Sequence, residues 1–151
     1  MRIAVFPGSF DPITKGHESI VNRSSDLFDK IYVAIGVNQS KKYLFDLEKR
    51  MEFIRKTFEG NDKVEVITFN KLTVRLCEEL GARYILRGLR NTGDFNYEYS
   101  ISQANRVQNP NIETVFLATE PQYSGVSSSI VRDVYKHGGD IKASVPDGLE
   151  F

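Results

Sequence analysis

Short apolar segments alternate along the chain with longer segments in which apolar residues recur every three or four positions. The short segments have the length and composition of buried strands. They span residues 3–6, 31–37, 64–69, 84–86 and 115–118. The longer segments have the period of helices that bury one face. The pattern therefore predicts five strands, each followed by a helix.

The helix at residues 47–59 has the clearest pattern. Four of its apolar residues share one face, Asp46 can cap its first turn and Gly60 can end it. The other four helices are expected to begin near Gly16, to end at Gly81, to span residues 94–108 and to end before Gly138. Turn and cap residues thus agree with the apolar pattern.

Strict alternation of strands and helices favours right-handed crossovers and a parallel sheet. We expect a Rossmann-like, doubly wound α/β fold with five parallel strands and helices on both faces. The sequence contains no internal repeat, low-complexity tract or linker rich in Pro, Gly or Ser. We therefore predict a single domain over residues 1–151.

Composition narrows the classes of function. The 151 residues carry 20 Lys plus Arg and 20 Asp plus Glu, so a protein that coats nucleic acid or a membrane surface is not expected. Because the overall charge is balanced, any anion-binding site must consist of a few positive groups brought together at one place. The single Cys77 excludes an intramolecular disulfide, and the sequence shows no secretory signal and no apolar stretch of about 20 residues. We expect a cytoplasmic protein.

The segment FPGSFDPITKGH, residues 6–17, leaves the carboxyl end of the first strand, where doubly wound folds bind ligands. Gly8 permits close backbone approach, Ser9 offers a hydroxyl, and His17 opens a helix whose free N–H groups favour phosphate. An ordinary turn would explain the glycines and prolines by themselves. The hydroxyl and the histidine at the same strand end favour a site.

Three further groups follow other strands. VSSSIVR, residues 126–132, places three serines at a helix start, where a cap needs one. Arg87 and Arg90 follow the fourth strand and could bind phosphate or form a solvated surface pair. Lys41 and Lys42 follow the second strand, and loop lysines are common. No Walker loop, GxGxxG pattern, Ser/His/Asp order or zinc spacing is present.

These motifs resemble a known family. GSFDPITKGH resembles the T/HxGH signature of nucleotidyltransferases related to class I aminoacyl-tRNA synthetases, and SSSIVR resembles their ISSTxxR motif. Together with SKK, RGLR and DFNYE, they resemble the bacterial phosphopantetheine adenylyltransferases over nearly the whole chain. The resemblance implies adenylyl transfer from ATP to 4′-phosphopantetheine, giving dephospho-coenzyme A and pyrophosphate. It also implies Mg²⁺ held mainly by ATP, a homohexamer, and coenzyme A as a possible feedback ligand.

Positions matched to the family motifs imply a role for each site residue. His17 is the implied catalytic residue, which stabilises the transition state by donating to the α-phosphate. The implied ATP-binding residues are Ser9, Phe10, His17, Gly88, Leu89, Arg90, Glu98, Tyr123, Ser124, Gly125, Val126, Ser127, Ser128 and Ser129. The implied acceptor-binding residues are Ser9, Lys41, Thr73 and Arg87. No protein ligand for a metal is implied.

Some positions depart from the family pattern. Ser9 stands where many relatives carry Thr, Thr73 where a larger apolar residue is frequent, and Phe151 ends the sequence where many relatives continue into a helix. The sequence leaves two alternatives open. One is a nucleotidyltransferase for nicotinate mononucleotide or glycerol 3-phosphate, and the other is a nucleotide-binding module without catalysis.

Overall fold

Strands and helices alternate along the chain in the computed structural model, which describes residues 1–151. The strands are β1 (Ile3–Gly8), β2 (Lys30–Gly36), β3 (Val64–Phe69), β4 (Tyr84–Leu89) and β5 (Glu113–Ala118). The helices are α1 (Lys15–Ser24), α2 (Leu47–Thr57), α3 (Thr73–Leu80), α4 (Thr92–Gln108) and α5 (Ser128–Lys136), and a short 3-10 helix (Pro121–Tyr123) precedes α5. The predicted order is confirmed.

The five strands form one parallel sheet in the order β3-β2-β1-β4-β5. The fold-class prediction is therefore confirmed. The order reverses between β1 and β4, which are neighbours in the sheet although three strands apart in sequence. Open α/β sheets bind ligands outside the carboxyl edge at such a reversal.

Both faces of the sheet are covered. Ala4 and Phe6 of β1 pack on one side with residues of α1 and α2, while Val5 packs on the other side with Val74 and Cys77 of α3. This alternation follows from the two-residue period of a strand, and it explains why the strands are apolar throughout.

Three strands extend further than predicted, and one of them, β5, begins at Glu113, two residues before its expected start. β1 continues through Pro7 and Gly8, and β4 continues through Arg87 to Leu89. Proline and glycine normally mark turns, but Pro7 lies opposite Ala34 of β2 in the sheet. Arg87 therefore lies within a strand, where its backbone is fixed by pairing with β5.

The predicted helix caps are largely confirmed. The Asp46 side chain accepts from the Lys49 N–H at the start of α2, and Gly81 ends α3 with a left-handed φ of 68°. The expected end of α2 at Gly60 is wrong: the helix ends at Thr57, and Gly60 (φ 84°) lies in the following turn. No helix combines the length and the apolar character needed to cross a bilayer.

Candidate active site

A cleft of about 350 Å³ lies over the carboxyl ends of β1 and β4. Most predicted site residues line it: Ser9, Phe10, His17, Lys41, Arg87, Gly88, Arg90, Glu98, Tyr123, Val126, Ser127, Ser128 and Ser129. Thr73 lines an adjoining cavity, whereas Leu89, Ser124 and Gly125 line neither. The fold thus brings together groups that are more than 100 residues apart in sequence.

Side chains from other elements bind backbone carbonyls at the end of β1 and in the β1–α1 loop. Arg87 of β4 donates to Pro7, Arg50 of α2 to Ser9 (2.9 Å), Arg132 of α5 to Asp11 (2.9 Å) and Ser128 of α5 to Pro12 (2.8 Å). Each acceptor would otherwise be an unpaired polar group in a largely buried loop. The loop conformation is therefore set by the tertiary structure.

Phe10 occupies an unusual backbone conformation, with a φ of 47°. Such a φ costs on the order of 1–3 kcal/mol in a residue with a side chain. This conformation places the Phe10 ring beneath Gly8, so a Cβ added at Gly8 would lie 3.0 Å from the ring. The ring also packs edge-on against the His17 ring, with 5.0 Å between the ring centroids. The Phe10 side chain is buried and supports His17, so only its backbone is available to a nucleotide.

His17 is fixed by Thr14, the N-cap of α1. The Thr14 backbone N–H donates to His17 Nδ1 (3.0 Å), and the Thr14 hydroxyl accepts from the His17 backbone N–H (3.3 Å). Since Nδ1 is an acceptor, the ring proton of neutral His17 is on Nε2. Burial, with help from Arg87 and Arg90, lowers the pKa of His17 to about 4. The ring is neutral at pH 7 and can donate through Nε2.

Thr14 was missed by the sequence reasoning. The signal was available, because Thr14 and His17 have the spacing of a capping box, with His in place of the usual Glu or Gln. The His17 N–H is bound by Thr14, so it is not among the free N–H groups at the start of this helix.

Arg87 lies where β1 and β4 separate. These strands pair only at Ala4–Tyr84 and Val5–Ile85, and the Arg87 guanidinium fills the gap beyond. It donates to the Pro7 carbonyl and to both carboxylate oxygens of Glu98 (2.8 and 2.6 Å). Glu98, predicted to bind ATP, is thus a buried partner of Arg87. Two of the five guanidinium N–H groups of Arg87 have no hydrogen-bond acceptor in the protein.

Arg90 is paired with Asp94, one helical turn before Glu98. The Arg90 side chain donates to Asp94 at 3.0 and 3.3 Å, and the Arg90 backbone N–H donates at 2.9 Å. Burial alone would raise the pKa of Asp94, but these hydrogen bonds hold it below its usual value. Asp94 and Glu98 are therefore both paired with arginines at the cleft.

Lys41 and Arg132 are the cleft cations without a carboxylate partner. Lys41 Nζ donates to the Ser9 hydroxyl (3.1 Å), and Arg132 donates to the Asp11 carbonyl and to the Ser129 hydroxyl (3.2 Å). Both can attract an anion. The sequence reasoning assigned no role to Arg132, although it lies in the SSSIVR segment.

The three serines have different roles at the start of α5. Ser127 is the N-cap and accepts from the Ile130 N–H (3.2 Å), Ser128 donates to the Pro12 carbonyl, and Ser129 accepts from Arg132. The first N–H groups of a helix have no partner within it, so those of Ser128 and Ser129 are available to an anion.

A second cavity of about 280 Å³ adjoins the cleft, and Ser9, Arg87 and Glu98 line both. Its other walls include Phe69, Thr73, Tyr97, Ile101, Ser102 and Asn105. Apart from the Arg87–Glu98 pair, these residues carry no charge. Of the α4 residues in this wall only Glu98 was predicted, because α4 shows no regular apolar face in sequence.

Comparison with known proteins defines the class. The cytidylyltransferase-like family model matches residues 5–134, so the chain belongs to this family of nucleotidyltransferases. Among solved structures, a putative nicotinate-nucleotide adenylyltransferase from Vibrio parahaemolyticus has a TM-score of 0.72 at 17% identity, covering 97% of this chain and 88% of that one. At this identity the likeness supports the fold alone.

Closer relatives define the family more finely. The phosphopantetheine adenylyltransferase of Flavobacterium psychrophilum is 53% identical over 99% of this chain and 98% of its own length. That of Flavobacterium johnsoniae is 54% identical, covering 99% and 97%, and that of Lactobacillus johnsonii is 51% identical, covering 95% and 87%. The chain belongs to the phosphopantetheine adenylyltransferase family, which confirms the resemblance inferred from its motifs.

Proposed function

We propose that this enzyme transfers the adenylyl group of ATP to 4′-phosphopantetheine, releasing pyrophosphate and forming dephospho-coenzyme A in coenzyme A biosynthesis. Beside family membership, one structural observation supports the proposal. The cationic cleft opens, past Ser9 and Arg87, into a cavity without free charge. The acceptor has the same order of groups, with a phosphate at one end and an uncharged amide arm behind it.

The nucleotide occupies the side of the cleft formed by β4 and α5. The N–H groups of Ser128 and Ser129, with Arg90 and Arg132, suit the β- and γ-phosphates. Tyr123 and Val126 line the same side and suit the adenosine. Gly88 has Ile20 atoms 3.0 Å from the position of an added Cβ, so it permits close packing of β4 against α1 beneath the nucleotide.

The acceptor phosphate occupies the opposite side, between Lys41, Ser9 and the two unpaired donors of Arg87. The arm extends into the second cavity, where Thr73, Ser102 and Asn105 can bind its amides and Phe69 can cover its methyl groups. A nicotinate mononucleotide would bring a carboxylate to this cavity, where no free cation receives it. This observation favours the pantetheine acceptor over that alternative.

The reaction then needs positioning and charge stabilisation. An acceptor oxygen bonds to the α-phosphorus while the bond to the bridging oxygen of pyrophosphate breaks. A phosphate monoester is largely dianionic at neutral pH, since its second pKa is about 6, so no general base is required. His17, held by Thr14 with its proton on Nε2, donates to an α-phosphate oxygen as negative charge develops there.

We also propose that Mg²⁺ enters as part of the MgATP substrate. The chain contains no cluster of three or more His, Cys, Asp or Glu side chains that could hold a metal, and Asp94 and Glu98 are bound by arginines. Mg²⁺ commonly binds through substrate phosphates. EDTA should abolish turnover, and added Mg²⁺ should restore it without change in the melting temperature of the nucleotide-free enzyme.

The first experiment measures pyrophosphate release from MgATP with 4′-phosphopantetheine, nicotinate mononucleotide and glycerol 3-phosphate supplied separately. We expect release with phosphopantetheine alone. Release with another acceptor would support adenylyl transfer but would show that the proposed acceptor is wrong. ATP binding without pyrophosphate release from any of the three would favour a nucleotide-binding module.

We further propose that the chain assembles as a homohexamer. Helix α4 carries five large apolar side chains that are each at least 39% exposed: Phe95, Tyr97, Tyr99, Ile101 and Val107. We infer that contacts between subunits cover part of this apolar surface, since large exposed apolar areas usually mark an interface. Light scattering should give a mass six times the chain's 17.2 kDa. A monomer mass at micromolar concentration would contradict the assembly.

Coenzyme A is proposed as a feedback ligand, because it carries the same arm as the acceptor. It should therefore raise the apparent KM for phosphopantetheine. We propose a cytoplasmic location, since ATP and the acceptor are intracellular metabolites. Cell fractionation with an antibody to the chain tests this location.

A further inference from the structure

Arg50, on the first turns of α2, is a buried cation that forms no salt bridge. It is 3% exposed, and its guanidinium carbon lies 3.9 Å from the centre of the Tyr43 ring. Arg50 Nε donates to the Phe45 carbonyl (3.0 Å), and Nη1 donates to the Ser9 carbonyl (2.9 Å). Its two acceptors thus belong to different loops, β2–α2 and β1–α1.

Asp11 makes the reciprocal connection. Asp11 is 2% exposed, and its carboxylate accepts from the backbone N–H groups of Leu44 (2.8 Å) and Phe45 (2.9 Å). Two hydrogen bonds from Leu44 and Phe45 to Asp11 therefore join the loops directly, and Arg50 of α2 bridges the loops through one hydrogen bond to each. We call Asp11, Arg50 and the backbone groups that they bind the loop clasp.

The clasp lies next to the predicted acceptor site. Lys41 is in the same loop as Leu44 and Phe45, and its Nζ contacts the Ser9 hydroxyl at 3.1 Å. Ser9 is held from behind by Arg50 through its carbonyl. The clasp therefore binds the backbone of Ser9 and of the loop that carries Lys41.

We propose that Arg50 is a positioning residue for the acceptor phosphate, because it fixes the two loops that carry Ser9 and Lys41. The inference rests on the proposed function, in which these two residues bind the phosphate of the acceptor. Arg50 lies beneath the Ser9 backbone and acts through the carbonyl, so it does not itself contact substrate.

The chemistry of the side chain explains why arginine is needed. A buried cation carries a large desolvation cost, which is tolerated only when its hydrogen bonds are well formed. The planar guanidinium can reach two carbonyls in fixed directions, whereas a lysine ammonium on a flexible stem cannot hold both in the same way. A neutral apolar residue would leave both carbonyls without partners.

The test compares R50K and R50M with R55M, a matched change at an exposed arginine of the same helix. KM for phosphopantetheine and for ATP is measured separately, and hydrogen exchange is followed at the Leu44 and Phe45 amides. For R50K we expect about a tenfold rise in KM for phosphopantetheine, the scale of one lost hydrogen bond from a charged donor, with KM for ATP changed less than twofold. Exchange at both amides should accelerate. R55M should leave all these values unchanged.

Equal rises in both KM values for R50K would indicate general destabilisation and overturn the positioning role, as would an unchanged KM for phosphopantetheine. R50K retains the charge and so remains informative if R50M fails to fold. Failure of the proposed function is recognised separately, because the unmodified enzyme would then release no pyrophosphate with phosphopantetheine.

Discussion

The neutral state of His17 predicts a specific dependence of stability on pH. The folded protein binds a proton at His17 only near pH 4, whereas the unfolded chain binds it near the ordinary value of 6.5. The unfolded state therefore holds more protons between these values, and the free energy of unfolding falls as the pH is lowered through this window. Above pH 6.5 the contribution of His17 is fully present.

The magnitude follows from the two pKa values. A difference of one pKa unit corresponds to about 1.4 kcal/mol, so lowering the pH from 7 to 4 should cost about 3 kcal/mol at this one site. Because one edge of the half-buried ring faces the open cleft, water screens part of the effect, and this value is an upper bound. It is still a large share of the 5–15 kcal/mol typical of a domain.

The assay is urea unfolding at several pH values between 4 and 7, for the unmodified protein and for H17N. Asparagine can still accept from the Thr14 N–H but does not titrate, so the difference between the two curves isolates His17. We expect the stability of H17N relative to the unmodified protein to increase by up to about 3 kcal/mol towards pH 4. Parallel curves would refute the lowered pKa of His17 and the burial argument on which it rests.

Three further predictions concern single side chains. His17→Ala should lower kcat roughly 10²–10³-fold with ATP binding retained, the scale of one charge-stabilising donor, and an unchanged kcat in steady-state assays would contradict its role. Arg87→Ala should chiefly raise KM for phosphopantetheine; if only ATP binding weakened in calorimetry, the assignment of the arginines would be wrong. Burial and the neighbouring Glu78 raise the pKa of the Cys77 thiol to about 12, so Ellman's reagent should label Cys77 only as fast as the protein unfolds. Labelling at the rate of a free thiol would show that α3 opens in the native state.

Local patterns were sufficient to predict the elements of the fold. The apolar segments located every strand, and the bounds of β3 were correct to the residue, because residues 64–69 lie between clear turn signals. The extent of β1 was underestimated, since Pro7 and Gly8 are turn formers that the sheet here accommodates. The strand order also lay beyond prediction, because alternation fixes the direction of the strands but not which ones are neighbours.

At the site, too, features that depend on local sequence were predicted, and features that depend on the arrangement of the elements were not. Motif residues such as His17 and Lys41 were located because each follows a strand end. Arg50 and Asp11 were missed as positioning groups because they act on backbone atoms of other loops, and no spacing in sequence records such contacts. The pairing of Arg87 with Glu98 was missed for a related reason: it depends on where α4 lies against β4.

The carbonyl contacts of the β1–α1 loop have a consequence for synthesis of the protein. The end of β1 and the loop after it are the first parts of the site to leave the ribosome. The side chains that donate to their carbonyls are synthesised later, first Arg50, then Arg87, and finally Ser128 and Arg132. A nascent chain that stops before α5 contains all five strands of the sheet but leaves the Asp11 and Pro12 carbonyls without their side-chain partners. Enzymatic activity therefore reports completion of the chain through Arg132, and fragments ending earlier should regain it only when the missing C-terminal segment is supplied in trans.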